Sequence, residues 1–112
     1  MKKDEVTFAD FTKFDLRVGK IEEAEEVTGS VNLIRMNVNL GQDYGIQKII
    51  TGIAKWYKPK DLKGKKSVFL ANLAPKQMMK EMSSGMILCA MIDEEARLIP
   101  VDNNIPEGSI VR

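Results

Sequence analysis

The chain contains no histidine and only one cysteine, Cys89. It therefore lacks the usual transition-metal ligands and the commonest general base, and Cys89 has no partner for an internal disulfide. The flanks of Cys89, Met86-Ile-Leu-Cys-Ala-Met91, are apolar and place it in a buried strand rather than at a reactive surface. No apolar run is long enough to span a bilayer, and the opening Met1-Lys-Lys-Asp-Glu5 lacks the apolar stretch of a signal peptide. A soluble, cytoplasmic protein is expected, with no cofactor, no metal and no membrane partner. Net positive charge is also small: the formal net charge is +1, little for a nucleic-acid binder, because affinity for phosphate depends on concentrated cations.

The distribution of charge says more than its sum. Six lysines fall between Lys55 and Lys66 against a single acid, Asp61, whereas Glu22, Glu23, Glu25 and Glu26 cluster elsewhere. This predicts a molecule with two electrically distinct sides. At 112 residues the chain fits one compact domain with a hydrophobic core of useful size.

Short strands dominate the pattern. Ile34, Met36, Val38 and Leu40 alternate with Arg35, Asn37 and Asn39, the period-two signature of a half-buried strand. Strands are predicted over 16–27, 31–40, 46–53, 67–71 and 85–92. Turn-forming residues at 28–30 and 41–45 separate the first three. Thr7 caps a helical turn that would set Phe8, Phe11 and Phe14 on one face, and Pro59 and Gly64 bracket a second turn. Five short strands with a helical turn between the third and fourth give an all-β fold, a five-stranded OB barrel with a C-terminal extension. The extension, 96–112, carries Leu98, Ile99, Val101, Ile110 and Val111 beyond what the barrel needs. It either covers an open edge of the barrel or pairs with a second copy.

Three constellations carry chemistry. In Asn72-Leu-Ala-Pro-Lys76, asparagine suits either a base edge or a turn, and Pro75 fixes the backbone from which Lys76 projects; Lys80 extends the basic rim. In Ser83-Ser-Gly-Met86 the hydroxyl suits a phosphate or ribose oxygen and the methionine a base face, although a turn serine and a core methionine are the ordinary roles of such residues. In Asp15-Leu-Arg-Val-Gly-Lys-Ile21, Asp15 and Arg17 project to one side and can pair, Gly19 permits a bend, and Arg17 and Lys20 are lesser candidates for RNA contact. Arg35, Asn37 and Lys48 lie on strands two and three, the usual ligand face of such a barrel, and Asn32 opens strand two. Trp56 and Tyr57 interleave with lysines, which suits base stacking, but Trp56 is expected to pack.

Taken together, 15–21 and 72–90 resemble the tRNA-binding OB-fold module that occurs alone or is attached to methionyl-tRNA synthetases. The resemblance implies non-catalytic tRNA binding as a homodimer that assists aminoacylation, with a methionyl-tRNA synthetase catalytic subunit as a further partner. It implies Ser83 and Met86 at the tRNA site, with Asn72, Lys76 and Lys80 forming a basic rim. Arg35, Lys48 and Asn32 complete the candidate set. Ala74 stands where that family carries lysine, and Val27, Thr28 and Asn32 replace its His-Pro and lysine. A secretion-related chaperone of the same architecture is the alternative: Gly45-Ile-Gln47 and Pro75-Lys-Gln77 resemble that branch, and Met78, Met79, Met82 and Met86 would suit extended peptides.

Overall fold

A computed structural model describes all residues from Met1 to Arg112. In chain order the elements are α1 (Phe8–Phe11), β1 (Leu16–Glu26), β2 (Ile34–Asn39), β3 (Ile46–Thr51), α2 (Pro59–Leu62), β4 (Lys66–Leu70), β5 (Lys76–Met78), β6 (Glu81–Ser83), β7 (Met86–Ile87), β8 (Cys89–Ile92), β9 (Glu95–Leu98) and β10 (Ile110–Val111). The main sheet runs β3-β2-β1-β4-β7, all antiparallel, and curls into a nearly closed five-strand barrel consistent with an OB-fold.

The alternation expected for β2 is present: Ile34, Met36 and Val38 are fully buried while Asn37 is exposed. They meet Ile21, Leu40, Ile49, Phe69 and, from α2, Leu62 in one core. β1 is long enough to pair with β4 through its first half and β2 through its second. The irregularity that lets it serve both lies between Ile21 and Glu23, where the register shifts, and not at Gly19. Gly19 answers a different need. A Cβ there would lie 2.7 Å from Phe69 and Val38 and 2.9 Å from Leu40, so the barrel has no room for a side chain.

Barrel closure falls to Ser83 and Ser84. The Ser84 amide donates to the Lys48 carbonyl at 2.9 Å, and the Ile50 amide donates to Ser83 Oγ at 2.9 Å. The serine hydroxyl thus takes the place of a backbone acceptor where β3 and the returning chain do not form a regular ladder.

The extension covers an edge of this same chain. β10 pairs with Leu16 and Arg17 of β1, the Gly108 amide donates to the Val18 carbonyl, and the Val18 amide donates to the Ser109 carbonyl. Lys66 Nζ holds the loop before it, donating to the carbonyls of Asn103 at 2.8 Å and Ile105 at 2.7 Å, with Glu107 Oε1 at 3.3 Å.

Several expectations need correction. The strand expected over 85–92 is two: β7 pairs with β4, and the chain then leaves that edge so that β8 pairs with β9. Strand two begins at Ile34 because 31–33 complete the preceding turn, where Ser30 Oγ accepts from the amides of Asn32 and Leu33. The stretch 76–83, which lies outside the five predicted strands, forms a hairpin. Cys89 is half-buried, and burial pushes its thiol above the usual range. The basic and acidic runs do not sit apart: Lys63 pairs with Glu23 at 3.2 Å, and the Gly64 amide donates to the Ile21 carbonyl.

Candidate nucleic-acid interface

The β5–β6 hairpin packs against β3, bonded to it at Lys48 and Ile50. Two successive β3 residues, Ile49 and Ile50, are buried because the barrel covers one and the hairpin side covers the other. Beside the hairpin opens a groove of about 780 Å³, walled by Ile50, Ile53, Trp56, Met78, Met86 and Met91, with Lys76 as the one charged residue on its lining. Polarizable thioethers and an indole with a cation at the margin suit a planar base and its phosphate, or an extended apolar peptide.

The candidate residues divide sharply. Lys76 starts β5, Lys80 lies in the Met79-Lys80 turn, and both are exposed. Neither ammonium takes part in any ion pair of the chain. Met86 is 43% exposed on β7 and faces the groove. Asn32 is exposed, and only its backbone is bonded. These four keep their side-chain chemistry available.

The others are engaged. Ser83 is buried, and its hydroxyl serves Ile50. Asn72 ties two segments together: Oδ1 accepts from the Asp15 amide at 2.9 Å and Nδ2 donates to the Lys13 carbonyl at 2.7 Å. Arg35 pairs with Glu25 at 2.8 Å and Glu81 at 2.5 Å, and Lys48 lies 3.5 Å from Glu81. Hydrogen bonding to Glu25, and then to Glu81, raises the Arg35 guanidinium above its ordinary range.

Arg17 is mostly buried and bonded within the chain. It is bound by Asp15 at 2.7 and 3.2 Å, reaches Asp43 at 3.0 Å and the Gly108 carbonyl at 3.1 Å, and lies 5.4 Å above the Tyr44 ring. The Arg17 hydrogen bond holds the Asp15 carboxyl below its usual range, and the Tyr44 hydroxyl, donating at 2.6 Å, adds to it. The pairing of Asp15 with Arg17 and the packing of Trp56 agree with the sequence reading, and Tyr57 packs beside it.

Met78 and Met86 of the expected methionine set line the groove, Met79 and Met82 do not, and Glu81 and the groove contributions of Ile53 and Met91 were not anticipated. A faint signal exists for the hairpin. Lys76-Gln-Met78 and Glu81-Met-Ser83 flank two residues, but Met79 takes a positive φ of 57° without the glycine or asparagine that would announce such a turn.

The profile of the family described as "Putative tRNA binding domain" matches residues 16–110. The methionine–tRNA ligases of Clostridium tetani and Clostridium acetobutylicum are 42% and 43% identical to the chain over 112 residues. Each match covers 98% of this chain but only 17% of the ligase, so the chain spans about a sixth of those proteins. Among solved structures, a MetRS-related protein from Pyrococcus horikoshii superposes with a TM-score of 0.92 at 33% identity, covering 98% of this chain and 100% of that one. The chaperone CsaA from Bacillus anthracis superposes with a TM-score of 0.86 at 27% identity, covering 97% and 100%.

Proposed function

The chain belongs to the tRNA-binding domain family, and from that premise we propose that it binds tRNA in the cytoplasm without catalysing a reaction, assisting aminoacylation beside a methionine–tRNA ligase catalytic part. The observation that carries this reading is the conjunction at the β5–β6 hairpin: the unpaired cations Lys76 and Lys80 stand with a methionine-walled groove in which Met86 is exposed. In the proposed mode the lysines take backbone phosphates and an unstacked base lies against Met86 and Trp56. Ser83 acts by positioning Met86 through the Ile50 bond, and Asn72 by fixing the start of the same connection. Asn32 offers a free amide at the neighbouring turn. Folded tRNA should bind more tightly than single-stranded RNA of equal length, with a log–log salt slope of magnitude about 2 to 5. Salt-independent binding would contradict the proposal.

A homodimer belongs to this reading. Phe8, Phe14 and Ile110 are 79%, 55% and 57% exposed and border one hollow with Phe11 and Val111. A second copy would cover them and set two grooves on one assembly. Sedimentation should give twice the chain mass, and replacing Phe8 and Phe14 with serine should halve it. The peptide-binding alternative draws on the groove's apolar walls and the likeness to CsaA. Competition between tRNA and an unfolded peptide for the groove separates the two, since only the first reading predicts that tRNA wins.

A further inference from the structure

Arg35 and Lys48 stand on the sheet face where a small barrel meets a nucleic-acid backbone, yet one carboxylate engages both. Glu81 of β6 places Oε2 2.5 Å from Arg35 Nη1 and Oε1 3.5 Å from Lys48 Nζ. Glu25 of β1 holds another edge of the guanidinium at 2.8 Å. Two cations face two carboxylates, and the cluster has no net charge.

The fold does not need Glu81 for closure. Two and three residues further on, Ser83 and Ser84 already fix this strand to Ile50 and Lys48 through bonds of 2.9 Å. What Glu81 supplies is an anion with two oxygens presented to a guanidinium and an ammonium, the arrangement those groups offer a phosphate. We propose that Glu81 is an internal competitor for tRNA phosphate, occupying Arg35 and Lys48 until a backbone phosphate of a seated tRNA displaces it.

This inference rests on the tRNA-binding reading above. It makes Glu81 a residue that sets affinity and selectivity. A polyanion that meets only this cluster exchanges one anion for another and gains little. A tRNA already held at Lys76, Lys80 and the groove presents its phosphate at high local concentration and displaces the carboxylate.

The test compares the unaltered chain with Glu81→Gln, which keeps the side chain's size and removes its charge. Each is titrated with folded tRNA and with a single-stranded RNA of equal length across a salt series. E81Q should bind tRNA about 3- to 10-fold more tightly at low salt, with a slope steeper by about one, and should discriminate less against the single strand. In an Arg35→Gln background most of the gain should vanish. Equal or weaker binding by a folded E81Q overturns the proposal. Absence of tRNA binding by the unaltered chain overturns the tRNA reading and this inference with it. If E81Q does not fold, the carboxylate carbon-13 signal of Glu81 in the unaltered chain decides: it should move at saturating tRNA, and a stationary signal overturns the proposal.

Discussion

The tail junction and the β5–β6 hairpin use the same side chains to opposite ends. At the junction Arg17 and Lys66 are saturated by the chain itself: Arg17 by Asp15, Asp43 and the Gly108 carbonyl, Lys66 by two carbonyls and Glu107. At the hairpin, Lys76 and Lys80 have no partner and Met86 stands exposed. The two candidate asparagines divide the same way, Asn72 with both amide groups bonded across the chain and Asn32 with neither. Residue type alone does not mark an interface. What marks it is hydrogen-bonding and charge capacity that the fold leaves unused.

The largest effect should come from breaking the junction. Arg17→Ala strands a partly buried Asp15 and removes a link among β1, the β2–β3 turn and the tail, and should cost about 2 to 3 kcal/mol in urea unfolding. The acid limb of stability should report the same network. Asp15 and Glu107 both titrate below their usual range when folded, Asp15 chiefly through Arg17, and Glu107 through its own backbone amide and then Lys66. They stabilise the fold above the unfolded carboxylate range near pH 4, and that contribution is lost as pH falls through their lower folded values. Asp15→Asn should flatten this limb.

Lys66→Met should come next, losing about 1 to 2 kcal/mol with the tail's tethers while leaving tRNA affinity unchanged, as fluorescence titration would register. Ser83→Ala bridges the two regions. It orphans the Ile50 amide, so unfolding should cost about 1 to 2 kcal/mol, and tRNA binding should weaken only because Met86 and the hairpin loosen. A Ser83 variant that keeps full stability but loses binding would show direct contact instead.

Much of the barrel was legible because it depends on local pattern. β2 alternates, Thr7 caps α1 through the Asp10 amide, and Pro59 opens α2. The site was legible in part. Lys76, Lys80 and Met86 could be singled out, but the fate of Arg35, Lys48 and Asn72 depends on partners far along the chain: Glu81 lies 46 residues from Arg35, and Asp15 lies 57 from Asn72. No periodicity encodes such pairings. The β5–β6 hairpin escaped for a local reason, since Met79 takes positive φ where glycine, asparagine or aspartate would announce the turn, whereas Asp93 is such a residue but is followed by Glu94 rather than glycine.

The smallest changes in stability carry the most direct test of function. Lys76→Ala and Lys80→Ala should leave urea unfolding unchanged within about 0.5 kcal/mol, because neither side chain is bonded. Each should lower tRNA affinity and reduce the salt slope by about one, the mark of a lost phosphate contact. The decisive comparison is tRNA binding by the double variant Lys76→Glu, Lys80→Glu against a variant with Lys55, Lys58 and Lys60 reversed to glutamate. Reversal at the hairpin should abolish binding, while reversal in the 55–66 run should only weaken it. The opposite outcome, full loss from the run and near-parental binding by the hairpin variant, would rule out the hairpin as the tRNA site and place the tRNA on the lysine-rich side of α2.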